Sequence, residues 1–217
     1  MSLRTLPMTP ELAEYVITHS TQLTPVAKQL IQETAALGDI SRMQISPEEG
    51  SLLSMLVRIS GAKRVLEIGT FTGFSALMMV EGGATQVTCL DVSRAWTDIA
   101  RRYWRMAGVA DRIDLKIGPA IETLEAMAPD ERFDFVFIDA DKPSYPIYYE
   151  KSLDRVGPGG LIAVDNTLWS GQVVDLTDVS EDTKAIRSFN DMVAADRRVD
   201  VVIVPVADGF TLIRKLD

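Results

Sequence analysis

The run F-D-F-V-F-I-D-A-D-K, Phe133 to Lys142, ends an apolar stretch in two acids and a base, and the run L-I-A-V-D-N ends in Asp165 and Asn166. Asp139, Asp165 and Asn166 together offer two carboxylates and an amide oxygen. An all-oxygen set suits a hard divalent cation, magnesium before manganese or calcium. Three protein ligands leave positions for water or for two oxygens of a substrate. Taken singly, the same acids also serve as caps of the loops they open, and that alternative stands beside the metal. Lys142, three residues after Asp139, is either a base next to the cation or a surface lysine paired with Asp141 or Asp139. Repulsion from a neighbouring cation makes an ammonium easier to deprotonate. A cation also acidifies a hydroxyl bound to it. The base alternative therefore amounts to proton removal near neutral pH.

A second constellation is V-L-E-I-G-T-F-T-G-F-S. Gly69 and Gly73 flank a tight turn from strand to helix, where backbone can approach a ligand closely. A dinucleotide loop reads G-x-G-x-x-G, but here Phe71 occupies the middle of G-x-x-x-G. The glycines alone fit a turn that binds nothing equally well. Glu67 before the turn and Asp91 at the end of the next apolar run favour a ligand. An acid in the second place accepts hydrogen bonds from ribose hydroxyls.

These residues need a frame. Short apolar runs at Arg64–Ile68, Gln86–Asp91, Ile113–Ile117, Phe133–Asp139, Leu161–Asp165, Val199–Val204 and Phe210–Ile213 read as strands. Helices are predicted near 73–81, 93–107, 119–128 and 144–155, between the first five of them. In 93–107, Ser93 caps, Gly108 follows, and Ile99, Tyr103 and Met106 share a face. The alternation predicts an α/β fold: a Rossmann-like, doubly wound, mostly parallel seven-stranded sheet. The short P-V-A-D-G link makes the last strand antiparallel. Two N-terminal helices over 10–38 start at Thr9-Pro10 and Thr24-Pro25, and Gly38 ends the second. A third opens at S-P-E-E-G with Ser46 and Glu49 as a capping box and Leu52, Leu53, Leu56 and Val57 on one face. Met55, Met78 and Met79 are expected to fill the core. The chain is expected to be one domain over 1–217, a helical segment 1–60 followed by a ligand-binding core 61–217. In open sheets of this kind ligands bind beyond the carboxyl ends of the strands. Glu67, Asp91, Asp139 and Asp165 stand at four of the first five such ends, which predicts one shared polar site.

Composition narrows the partners. The chain has 217 residues, 47% hydrophobic and 24% charged, with a net charge of -9. Such a field repels nucleic acid and anionic membrane, so neither is expected as a partner. The basic cluster Arg101, Arg102 and Arg105 fits the outer face of a helix. A single cysteine, Cys89, excludes internal disulfides and multi-cysteine zinc sites. A single histidine, His19, excludes histidine-rich metal sites. No apolar run approaches the roughly 20 residues of a membrane span. The N-terminus lacks a secretory apolar stretch. A cytoplasmic location is therefore expected.

The acid followed by spaced glycines resembles the first motif of class I S-adenosylmethionine-dependent methyltransferases. Further along, "KRVLEIGTFTGFSAL", "ARRYW…AGVADRI", "FDFVFIDADK…Y…YYE", "PGGLIAVDN…WSG" and "DGFTLIRK" resemble the cation-dependent O-methyltransferases, the family of catechol and caffeoyl-coenzyme A O-methyltransferases. The similarity spans roughly residues 43 to 215. It implies that Asp139, Asp165 and Asn166 hold the metal and that Lys142 takes the hydroxyl proton. It implies that Gly69, Thr70 and Ser75, with Glu67, touch the methionine portion of S-adenosylmethionine, that Asp91 holds the ribose, that Ala120 lies at the adenine and that Asp141 faces the cofactor. The implied acceptor is a vicinal aromatic diol, and a homodimer is implied as well. Two positions depart from the family. Ile45 replaces a frequent small hydroxyl residue, leaving only backbone contact there. Ser170 replaces an asparagine that contacts substrate in plant caffeoyl-coenzyme A enzymes, so that one acceptor is not singled out. Trp169 and Tyr145 are candidates to frame the acceptor, whereas Tyr148 and Tyr149 are expected to pack. The rivals are a nicotinamide oxidoreductase, disfavoured by the missing central glycine, and a non-catalytic binding protein.

Overall fold

A computed structural model describes residues 6–217. Helices α1 (Pro10–Thr18), α2 (Pro25–Ala35) and α3 (Pro47–Ser60) start as expected. The side chains of Thr9, Thr24 and Ser46 accept from Leu12 N, Ala27 N and Glu49 N, each at 3.3 Å. The proline that follows each cap loses no helical bond, because that N–H has no partner inside the helix. A 3-10 turn at Gly38–Met43 joins α2 to α3.

The remainder alternates: β1 (Arg64–Ile68), α4 (Phe74–Glu81), β2 (Gln86–Asp91), α5 (Arg94–Met106), β3 (Ile113–Ile117), α6 (Ala120–Ala126), β4 (Phe133–Ile138), α7 (Tyr145–Arg155), β5 (Val156–Val164), α8 (Glu181–Ala195), β6 (Val199–Val204) and β7 (Phe210–Lys215). The sheet order is β3-β2-β1-β4-β5-β7-β6. All neighbours pair in parallel except β7, which is antiparallel to both β5 and β6. The five-residue link Pro205–Gly209 can only fold back, so β7 enters beside β6 in the reverse sense. The expected fold class is the one observed.

Both faces of the central strands are buried. Phe135 and Phe137 of β4 point to the side covered by α2, α3, α4 and α5, and Val136 and Ile138 to the side covered by α6, α7 and α8. This explains the continuous apolar runs. Strand order reverses between β1 and β4, where the chain leaves toward opposite halves of the sheet.

Four local expectations are corrected. Helix α8 lies between Asp165 and Val199, where no element is expected from the sequence. Ser180 caps it at Thr183 N, and only Ile186, Phe189 and Val193 form its buried stripe with Thr183. Met55 is 49% exposed, so it is not core, and on the face shared by Ile99, Tyr103 and Met106 the last is 53% exposed. α5 instead buries Thr97, Ala100, Tyr103 and Trp104, a face turned from the one expected. β5 begins at Val156, with the V-G-P-G-G stretch bulged against Phe133–Phe135 of β4. Among the described residues, no helix is long and apolar enough to cross a membrane.

Candidate active site at the carboxyl edge of the sheet

A cavity of about 1130 Å³ opens where the carboxyl ends of β1, β2, β4 and β5 meet α3. Its floor is the turn after β1. Gly69 takes φ 89° and Gly73 φ 83°. A Cβ on Gly69 would overlap the Asp139 carbonyl oxygen, and one on Gly73 would overlap Ala100 and the Trp104 ring. Both glycines are therefore required by packing between neighbouring elements, before any ligand is considered.

Asp91 ties this turn to the end of β2. Its Oδ2 accepts from Thr70 N at 2.9 Å and Phe71 N at 2.8 Å, and its Oδ1 accepts from Ser93 N at 2.7 Å. Oδ1 accepts only one bond and so keeps a second lone-pair direction, and the side chain stands on the cavity wall. Beside it, Phe71 meets Trp96 edge to face at 5.2 Å between ring centres, and Ala120 lines the same cavity. Thr70 and Ser75 also line the cavity. Glu67 does not: it is fully buried beneath the turn and accepts from Ser75 Oγ. Burial pushes its carboxyl up to about 7, and its Oε2 has no partner. Ser75 thus stands between Glu67 and the cavity.

The acids after β4 and β5 are held by ladders that continue one residue beyond each strand. Asp139 N donates to Ile68 O at 2.9 Å and Asp165 N to Ile138 O at 3.0 Å. Asn166 follows at φ 60°, with its N–H on Asp165 Oδ1 at 2.6 Å. Lys142 is 8% exposed, so it is not a surface lysine. Its Nζ donates to Asp139 Oδ1 at 3.1 Å, Asn166 Oδ1 at 2.6 Å and Tyr145 OH at 2.6 Å. Tyr145 in turn donates to Asp165 O at 3.1 Å, and its buried ring packs edge-on against Phe189 of α8. Tyr145 therefore supports Lys142 from beneath and is absent from the cavity wall, against the expectation that it frames an acceptor. Asp141 turns the other way, accepting from Tyr148 OH at 2.6 Å and from Ser144. Tyr148 does more than pack, since it lines the cavity through that bond. Tyr149 packs on Phe189 as expected. Trp169 lines the cavity, with Lys142 Nζ 5.7 Å from its ring centre. Cys89 is buried in the core, and His19 is stacked on Tyr15 at the surface, away from the site.

One residue escaped sequence reasoning. Glu49 completes the capping box of α3 through Oε2, which accepts from Ser46 N at 2.9 Å. Its Oε1 is buried without a partner, and the side chain lines the same cavity as Asp165, whose carboxyl its charge pushes up. The capping role accounted for the residue completely, so no local signal remained to mark it.

Among the described residues, no three His, Cys, Asp or Glu side chains are grouped to hold a metal; the set here is two carboxylates and an amide. Its electrostatics fit a cation. Burial, then the charges of Asp139 and Glu49, push the Asp165 carboxyl well above the usual carboxylate range. A divalent ion beside these oxygens would relieve that repulsion, and all-oxygen donors match a hard cation.

Comparison with known proteins bears on the whole chain. Residues 17–216 match the O-methyltransferase family. A probable caffeoyl-CoA O-methyltransferase 2 of Dictyostelium discoideum is 42% identical over 209 residues, covering 94% of this chain and 90% of that protein. The O-methyltransferase from Bacillus cereus, solved in complex with SAH, superposes with a TM-score of 0.87 at 32% identity, covering 94% of this chain and 97% of its own. The O-methyltransferase TomG from Streptomyces achromogenes, solved with SAM, gives a TM-score of 0.88 at 26% identity, with 95% and 96% of the two chains covered.

Proposed function

The chain belongs to the O-methyltransferase family and is an O-methyltransferase of the caffeoyl-coenzyme A type; from that premise we propose that it methylates one hydroxyl of a catechol-type small molecule, using S-adenosylmethionine and a divalent cation. The observation that carries this reading is the position of Lys142 Nζ. It lies within hydrogen-bonding distance of Asp139 and Asn166, on the wall of the cavity that Asp91 and the glycine turn also line.

When bound, S-adenosylmethionine supplies an electrophilic methyl group, and a divalent cation would acidify and align two adjacent hydroxyl oxygens. Asp139, Asp165 and Asn166 are the residues that would hold the cation. Asp91 accepts from the ribose hydroxyls, Gly69, Thr70 and Ser75 meet the methionine portion, and Glu67 orients Ser75 from beneath. Ala120 lies at the adenine, and Asp141, steadied by Tyr148, faces the cofactor. Lys142 Nζ takes the proton of the reacting hydroxyl. Transfer from a sulfonium to an oxyanion leaves two neutral products, so little charge needs stabilising afterward. The protein's main contribution is alignment of the oxygen behind the methyl carbon. Trp169 bounds the acceptor side of the cavity.

The test is a panel of catechol-type acceptors assayed with S-adenosylmethionine and magnesium. Methylation of a vicinal diol is expected, with near-complete loss in excess chelator and recovery on adding magnesium. Full activity in chelator would remove the cation from the reaction. The family resemblance also leads us to propose a homodimer. Light scattering at micromolar concentration should return twice the 23.9 kDa chain mass, and a monomer mass rejects it.

A further inference from the structure

Helix α8 turns a polar stripe toward the segment 167–178 that joins it to β5. Thr183, Arg187 and Asn190, at i, i+4 and i+7, lie on one helical face. Asn190 Nδ2 donates to Thr167 O at 2.8 Å, immediately after Asn166. Thr183 Oγ1 donates to Asp178 Oδ2 at 2.8 Å, near the far end. Between them, Arg187 spans the middle. Its Nε donates to Val173 O at 3.0 Å, its Nη1 to Asp178 O at 2.9 Å, and its Nη2 to Gln172 O at 2.8 Å and to Asp175 O.

Hydrophobic burial contributes little to holding the outer part of this segment, since Val174 and Leu176 are 81% and 86% exposed. The inner part is strained. Trp169 and Ser170 take φ 47° and 51°, a region that a non-glycine residue rarely adopts. Such conformations persist only where surrounding contacts enforce them. Ser170 N donates to Asp208 on one side, and the Arg187 fork holds Gln172 and Val173 on the other. A planar guanidinium presents several N–H donors in a fixed geometry that a single ammonium cannot reproduce.

We propose that Arg187 is a positioning residue for the acceptor half of the site: by clasping the carbonyls of Gln172, Val173, Asp175 and Asp178, it sets where Trp169 and Ser170 stand on the cavity wall and so governs acceptor binding. The inference rests on the O-methyl-transfer reading above. Arg187 is not on the cavity wall, and the glycine turn and Asp91 are held by other elements, so cofactor binding is independent of it.

The test compares Arg187→Ala and Arg187→Lys with the unsubstituted full-length chain. Amide hydrogen exchange is followed over residues 170–178, SAH affinity is measured by calorimetry, and kcat and KM are determined for a catechol-type acceptor. Arg187→Ala should speed exchange in the segment about tenfold or more and raise acceptor KM by about tenfold. SAH affinity should stay within about twofold. Arg187→Lys, which keeps the charge but not the fork, should fall between. Ile186, Phe189 and Val193 keep α8 packed in both variants. Should Arg187→Ala fail to fold by circular dichroism, Arg187→Lys decides on the same readouts. Unchanged exchange, an unchanged acceptor KM, or a parallel loss of SAH affinity overturns the inference. Failure of the unsubstituted chain to methylate any catechol-type acceptor instead overturns the underlying reading, and exchange then decides the clasp alone.

Discussion

Lys142→Met lowers turnover by about 10²- to 10⁴-fold, the usual contribution of a positioned general base, while SAH affinity changes little. Methionine fills nearly the same volume, so the packing against Tyr145 and Trp169 is retained. What is lost is the amine that stands beside Asp139 and Asn166 on that wall. Lys142→Arg separates two roles. It keeps a positive charge but cannot serve as a base, because a guanidinium does not deprotonate in proteins. If Lys142 takes the proton, both variants are slow in single-turnover measurements. If arginine restores the rate, charge alone suffices and the base lies elsewhere.

Asp165→Asn is expected to reduce magnesium-dependent turnover on the order of 10³-fold, since a weakened cation site loses both the acidification and the alignment of the acceptor hydroxyls. The same change should not destabilise the fold in the presence of chelator. Asp165 is nearly fully buried, and its carboxyl is pushed upward by burial and by Asp139 and Glu49. A carboxyl with a raised folded-state pKa binds its proton more tightly in the folded chain than in the unfolded one. Its ionisation therefore costs stability as pH rises above about 4, where the unfolded residue ionises, and the cost grows until the folded group ionises too. Asparagine is free of that cost. Thermal melts in chelator should show the variant gaining on the unsubstituted chain between pH 4 and pH 7. A melting temperature that falls relative to the unsubstituted chain over that range would contradict the electrostatic assignment. The two outcomes together describe a residue kept for function at a cost in stability.

Much of this site is legible in local pattern. Apolar runs closing in an acid mark the carboxyl ends of β1, β2, β4 and β5, because a strand buried on both faces leaves polar residues only where it emerges. The Thr-Pro and Ser-Pro starts mark α1, α2 and α3, because a cap and a fixed φ act within one turn. The short link before β7 fixes its direction through chain reach alone. Helix α8 is not legible in the same way. It buries only one narrow stripe, and its stability comes from packing against α7 and β6 and from its bonds to the segment before it.

Charged and aromatic side chains needed tertiary structure to be assigned. Lys142 has the same neighbours in sequence whether it pairs outward with Asp141 or inward with Asp139. The inward arrangement follows from Tyr145 and Asn166 closing around it. Glu49 reads as a helix cap until the sheet order brings β5 under α3 and sets Asp165 against it. The sequence by itself determined the strands, their polar ends and the chemical class of the donors, since each depends on residues within a turn or a strand of one another. Which of those donors share one cavity, and which way Asp141 and Lys142 turn in it, were decided only by tertiary structure. Residues 49, 91, 139 and 165 are far apart in the chain, and their place on one cavity wall is a property of strand order and helix packing.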